Sequence, residues 1–462
     1  MSTSQELAEK LQQLIAEHGV PGAQLAVLDG DEITEVAAGV LSLRTGSPAT
    51  PDALFLPGSI GKLYTATLVM MLVDEGRLDL DVPIRTYLPD FEVRDARARD
   101  VVTPRDLLTH TSGFDGDHFT DTGRGDDALA RYVAGCADLP QIAPPGSIWS
   151  YSNSGYSILG RIVEVLLGTT FEQALRDRLF TPLGLQHTVS FADEAIVHPI
   201  SVGHVPDPDD PATLVVSPLW GLGRAFGPMG SAVVASAGDV LRFARLQLDG
   251  GVAPDGTRLL DAGLTASMLE RQVDLVDDSV LGQSWGLGWI LDRWGEVAVV
   301  GHDGNSIGQN AFMRLAPQER FGFCLQTNVE SALTMYRELA DWLFGRRLGV
   351  GPRPDPAPLA ETTVSDPERY TGTYEREGLT FDVRADDEGR LLTTVHPTHA
   401  VAEAQGLPVM ADLPLRPATR PDSFLLKLPI ADADLLAVFF DPDEPGARPS
   451  YLHFGGRAHR RR

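Results

Sequence analysis

A chain of 462 residues with 64 acidic and 38 basic side chains carries a formal charge of −26. The length exceeds one ordinary core, so a second domain or an appendage is expected. The acidity argues against a nucleic-acid partner, because phosphate binding needs a basic face that releases counterions, and it disfavours an anionic membrane surface for the same reason.

Thr3 and Glu6 have the spacing of a capping box at the head of an amphipathic helix, and the stretch lacks a basic segment followed by an apolar one. Apolar runs such as Leu68–Val73 are too short to span a bilayer, and a soluble cytoplasmic protein is expected. Residues 22–40 read as two strands around Asp29-Gly30-Asp31. Leu63–Val73 reads as a buried helix stopped at Glu75-Gly76; Thr103-Pro104 opens another, and residues 155–167 form a third. The Pro/Asp-rich stretch around 205–216 reads as a loop. Residues 286–330 alternate like strands, and 331–345 look like a closing helix.

Strands at both ends of a helical middle predict an α/β sandwich, an antiparallel sheet flanked by helices with an all-α region, over residues 1–348. A Pro-rich linker is expected at 349–362, followed over 363–462 by short strands separated by turns, an all-β barrel or curled sheet. Cys136 and Cys324 have no metal-ligand spacing and are expected as buried free thiols.

The basic residues include only three lysines, Lys10, Lys62 and Lys427. Where arginine has replaced lysine so widely, a retained lysine can mark a position that must release a proton, which arginine does not do. Lys62 stands three residues after Ser59, so on a helix the two share a face. The helix N-terminus stabilises developing negative charge, and a desolvated amine can activate the hydroxyl. Alone, this spacing fits a serine cap followed by a surface lysine equally well. A phosphate-loop reading of Gly58-Ser59-Ile60-Gly61-Lys62 fails, since Leu56 occupies the first glycine position and Leu63 the Ser/Thr position.

Two further segments carry polar groups suited to the same chemistry. Tyr151 and Asn153, after Pro144-Pro145-Gly146, can reach one cleft, where the phenol could relay a proton to a leaving group. In Gly301-His302-Asp303-Gly304-Asn305 the histidine could hydrogen-bond that phenol or a substrate carbonyl, and the glycines let a substrate backbone approach.

In combination, Ser59-x-x-Lys62, Tyr151-x-Asn153 and His302-x-Gly304, with LLTHTSGF (107–114), PPGSIWSYSNSGYSILG (144–160), PLGL (182–185) and WGLGW (285–289), resemble the serine β-lactamase and penicillin-binding-protein superfamily. The pattern is most similar to its class C-like and D-peptidase/esterase branch, over about residues 10–345. The resemblance implies Ser59 as the acylated nucleophile, Lys62 and Tyr151 as coupled base and acid, and Asn153 as a holder of Lys62 or of the substrate amide. It implies an oxyanion hole from the backbone N–H groups of Ser59 and Asn305. His302 stands where many relatives carry lysine, and a largely neutral histidine holds a carboxylate less well, which weakens a β-lactamase or D-Ala-D-Ala carboxypeptidase reading. Thr109, His110, Thr111 and Ser112 read as structural, and Cys324 as core.

The β-rich tail and arginine-rich composition further resemble the penicillin-binding-protein-type thioesterases that release and cyclise nonribosomal peptides in secondary metabolism and carry a lipocalin-like C-terminal domain. That implies a peptide or acyl substrate, presented by a peptidyl carrier protein. A D-stereospecific peptidase or esterase is the alternative, and a non-catalytic peptide-binding relative a third. Arg457, after Gly455-Gly456, either pairs with a substrate carboxylate at the cleft mouth or belongs to the basic tail Arg460–Arg462. The chemistry requires no metal or cofactor.

Overall fold

The computed structural model describes residues 3–207, 209–279, 281–398, 408–429, 433–444 and 446–462. The N-terminal helix Ser4–Glu17 is capped by Thr3, whose side chain accepts from the Glu6 N–H while the Glu6 carboxylate accepts from Thr3. The chain then turns into β1 (Gly22–Asp29) and β2 (Glu32–Gly39). Two minor ribbons follow: β3 (Thr188–Val189) pairs with β6 (Val234–Ala235), and β4 (His204–Pro206) with β5 (Leu214–Val216). The last pair borders the Pro/Asp-rich loop expected around 205–216, its strands taking the two ends of that span. The sheet resumes with β7 (Val273–Asp274), β8 (Ser284–Trp285), β9 (Ile290–Trp294), β10 (Val297–Ser306), β11 (Gln309–Ala316) and β12 (Phe321–Thr327).

The sheet is antiparallel, in the order β2-β1-β12-β11-β10-β9-β8-β7, so the first and last segments of this region pair one strand in from the β2 edge, with Leu25 opposite Leu325. Alternation along the strands fills a core on each face. Leu25, Val27, Phe323 and Leu325 pack with the first helix and with Leu333–Leu348, whereas Ala26, Leu28 and Cys324 face the helical region. That region is built round the helix Gly61–Asp74, buried on every side from Gly61 to Leu72, which is why its sequence is apolar all round. Cys136 and Cys324 are buried free thiols. No described helix is long and apolar enough to cross a membrane.

Beyond residue 362 the chain forms an up-and-down antiparallel barrel: β13 (Gly372–Glu375), β14 (Leu379–Ala385), β15 (Leu391–Pro397), β16 (Met410–Pro417), β17 (Ser423–Leu426), β18 (Leu435–Phe440), β19 (Tyr451–Phe454) and β20 (Arg457–Arg461). Pairing of Tyr374 with Arg461 and of Glu375 with Arg460 closes it, and closure removes the exposed edges an open sheet would leave. Tyr374, Phe381, Leu426 and Phe439 fill its interior. The architecture is the expected sandwich followed by a barrel of lipocalin-like type.

Candidate active site

Ser59 lies in a single 3-10 turn, Gly58–Ile60, that runs directly into the helix Gly61–Asp74. Glycines make the turn possible. Gly58 has φ +54°, and a Cβ there would stand 2.7 Å from the Asn305 nitrogen. A Cβ on Gly304 would lie 1.8 Å from the Pro57 carbonyl oxygen and 3.0 Å from the Ser59 nitrogen. The nucleophile turn and the end of β10 therefore touch backbone to backbone, which brings Ser59 and Asn305 together.

Lys62, one helical turn on, is fully buried, and its Nζ donates to Ser59 Oγ at 2.9 Å, to Asn153 Oδ1 at 2.7 Å and to the Met229 carbonyl. Burial pushes its ammonium well below the ordinary lysine value, and the charge of Arg457 adds to this while Asp117 opposes it. Because the charged form is so disfavoured there, the amine is suited to accept the Ser59 proton.

The segment that carries Tyr151 is held from both sides, residue by residue. Ser150 N–H donates to the His110 carbonyl, Tyr151 N–H to the Gly456 carbonyl, Ser152 N–H to His110 Nδ1, and Asn153 N–H to the Gly116 carbonyl. The Tyr151 ring lies 4.2 Å from the His110 ring and 4.9 Å from Lys62 Nζ, measured between centroids and from Nζ to centroid. Burial pushes its hydroxyl well above the ordinary phenol value, while hydrogen bonding with Ser59 and the charge of Arg457 pull the other way. His302 donates through Nδ1 to the Asp303 carbonyl at 2.6 Å, which leaves Nε2 as a buried acceptor without a partner. Burial and the nearby Lys62 charge bring it down to about 3, so it is a neutral imidazole. It does not bond the Tyr151 phenol; the rings stand 6.3 Å apart, centroid to centroid.

The structure brings Ser59, Lys62, Tyr151, Asn153, His302, Gly304 and Asn305 into one site. It also brings Arg457 there. This arginine leaves the β19–β20 turn, stacks over the Tyr151 ring with Cζ 5.0 Å from its centroid, and donates to both carboxylate oxygens of Asp117, at 2.8 and 3.1 Å. Arg457 therefore does not belong to an exposed basic tail, whereas Arg460 and Arg462 are exposed at the barrel's end and Arg461 folds back onto Tyr374.

Several participants carried no readable signal. Asp117 follows Gly116 in an irregular segment, Arg376 lies in the β13–β14 connection, and the Met229 carbonyl is sequence-independent. His110 was legible as structural but not as the support of Tyr151, and its φ of +58°, rare for a non-glycine residue, is what aims its ring there. Among the described residues, Glu17, His18 and Glu338 form a group of metal-ligating type. It lies on the outer helices, where Lys10 Nζ already donates to Glu338 at 2.7 Å.

A buried lysine one turn after a serine, a tyrosine facing both, and a strand edge closing the nucleophile's turn define a serine enzyme that works through an acyl intermediate. The chain belongs to the beta-lactamase family, whose profile matches residues 7–344. It is 45% identical to penicillin-binding protein 4 of Amycolatopsis lactamdurans over 373 residues, 80% of this chain and 97% of that one. It is similar in structure to SurE, 27% identical with a TM-score of 0.79 and 99% of each chain covered, a protein also solved with D-Leu. The D-amino acid amidase of Ochrobactrum anthropi SV3 matches 70% of this chain and 91% of its own, at 25% identity and a TM-score of 0.58.

Proposed function

We propose that this enzyme transfers a peptidyl group from a thioester, ester or amide to Ser59 and then to an amine of the same peptide, releasing a macrocycle. The observation that carries the acyl chemistry is the 2.9 Å contact from the buried Lys62 amine to Ser59 Oγ. Neutral Lys62 takes the proton as Ser59 attacks, the backbone N–H groups of Ser59 and Asn305 receive the oxyanion, and the Tyr151 hydroxyl hands a proton to the leaving group. The acceptor then attacks the acyl-enzyme by the same steps in reverse order.

Arg457 bears less on the donor than its place suggests: its guanidinium lies beside Tyr151 at the cleft, but both carboxylate oxygens of Asp117 already hold it. The likeness over both regions to a protein solved with D-Leu supports a D-residue at the scissile position. The neutral His302 supports a substrate other than a β-lactam, since no fixed cation stands at that position. Presentation by a peptidyl carrier protein and a cytoplasmic setting complete the reading.

Intact-protein mass spectrometry tests it, with peptidyl thioesters bearing D- or L-residues at the C-terminus, D-peptide amides and p-nitrophenyl esters as competing donors. A Ser59 adduct that resolves to a ring one water lighter than the linear acid is expected. The second reading, a D-stereospecific peptidase or esterase, draws on the structural likeness to the D-amino acid amidase. Linear acids as the sole products would establish it instead.

A further inference from the structure

Two guanidinium groups from the barrel converge on one buried carboxylate beside the nucleophile. Arg457 donates to both oxygens of Asp117, and Arg376 Nη1 lies 3.0 Å from Asp117 Oδ2. On its other side Asp117 accepts from Asn153 Nδ2 at 2.7 Å. An amide whose NH2 is held by a carboxylate has only its oxygen left for Lys62, and that oxygen accepts from Nζ at 2.7 Å. The flipped amide would set oxygen against carboxylate and NH2 against the lysine, so Asp117 fixes which end of Asn153 meets Lys62.

We propose that Asp117 is a positioning residue that couples the C-terminal barrel to the Ser59–Lys62 pair, with the amide of Asn153 as the link. The inference rests on the reading of Lys62 as the group that takes the Ser59 proton, and not on any substrate. The barrel is then part of the catalytic base, in addition to whatever substrate contact Arg457 makes. Tyr151, Tyr156, His110, His302, Asp117 and Arg457 are the titratable and charged groups arranged about Lys62. Both histidines are held neutral by burial and both phenols are held protonated by it. The two groups that keep a charge are Asp117 and Arg457, and they act on Lys62 in opposite directions.

The scarcity of lysine makes a direct test practical. Protein labelled with carbon-13 at lysine Cε gives one signal each for Lys10, Lys62 and Lys427. Asp117→Asn is expected to lower the Lys62 titration midpoint by about one pH unit, Arg457→Gln to raise it by a similar amount, and the double variant to return it toward wild type. A midpoint that stays put in both single variants, or moves the same way in both, overturns the coupling. Thermal melts report that each variant is folded; if Asp117→Asn does not fold, Arg457→Gln decides, an upward shift supporting the coupling and none overturning it. Fluorophosphonate labelling of Ser59 in the wild type checks the underlying reading separately, because it reports the nucleophile and not the titration.

Discussion

The guanidinium carbon of Arg457 stands 5.0 Å from the centroid of the Tyr151 ring, so a side chain from the last strand of the barrel caps one at the heart of the catalytic cleft. A cation over an aromatic face is stabilising by about 1–2 kcal/mol where it is partly desolvated. Its second effect is chemical. Burial disfavours the Tyr151 phenolate, and the facing positive charge offsets part of that penalty, so the phenol can give up and regain its proton during the reaction. The same turn is tied to the Tyr151 backbone, since the Gly456 carbonyl accepts the Tyr151 N–H at 2.9 Å.

Lys62→Arg separates charge from basicity. Arginine retains the positive charge and cannot lose it, so Ser59 keeps its proton and acylation falls by roughly 10³-fold or more, close to the loss in Ser59→Ala. The bulkier guanidinium also meets Met229 and Asn153 in a space fitted to an amine. Burst-phase acylation with a p-nitrophenyl ester checks this, and near-normal turnover would refute the base assignment.

Tyr151→Phe tests the proton relay with little structural cost. Only the hydroxyl beside Ser59 is lost, while the ring keeps its contacts with His110, Trp285 and Arg457. Acylation and deacylation should both slow by about 10²–10⁴-fold, the range for a lost general acid–base group, with the melting temperature unchanged or raised. Single-turnover kinetics separate the two steps.

The chemistry was legible in the sequence because each motif is local: three residues from Ser59 to Lys62, two from Tyr151 to Asn153, two from His302 to Gly304. The sheet was legible through alternation, as was the run of short strands that closes into the barrel, though β16 breaks that pattern with a proline, Pro414. What was not legible is how the barrel meets the cleft. Asp117 and Arg376 are separated by more than half the chain, and their pairing follows from the three-dimensional seating of one turn on another, for which a single sequence has no periodic signal. His110 shows the same limit, since its role comes from a left-handed backbone conformation that its residue type does not announce.

Gly304→Ala probes the contact between β10 and the nucleophile turn. The added methyl would meet the Pro57 carbonyl oxygen at 1.8 Å and the Ser59 nitrogen at 3.0 Å, and both neighbours are backbone, which cannot swing aside. The strand must retreat, carrying Asn305 away from Ser59 and opening the pair of N–H groups assigned to the oxyanion. A loss of about 10²-fold or more in acylation is expected, since displacements near 1 Å cost that much, with destabilisation of about 1–3 kcal/mol from overpacking. Fluorophosphonate labelling rates and thermal melts measure the two effects on the same sample.

Asp115→Asn should alter stability in a pH-dependent manner. Asp115 is almost fully buried; its Oδ2 accepts from the Glu377 N–H at 2.6 Å, while Arg376 stands 3.8 Å from Oδ1. Burial pushes its carboxyl up to about 6, against the pull of Arg376 and of that N–H. A carboxyl raised on folding stabilises the folded state fully below its unfolded value, and this contribution is lost as pH rises through the folded value. Wild type therefore loses up to about 3 kcal/mol from this group between the two values, at 1.4 kcal/mol per unit. Asparagine keeps an acceptor for Glu377 and does not titrate, so the melting temperature of the variant relative to wild type should climb as pH rises from about 4 through about 6 and level off above it. A difference that stays flat across that window would show that Asp115 ionises in the folded protein as it does in the unfolded chain.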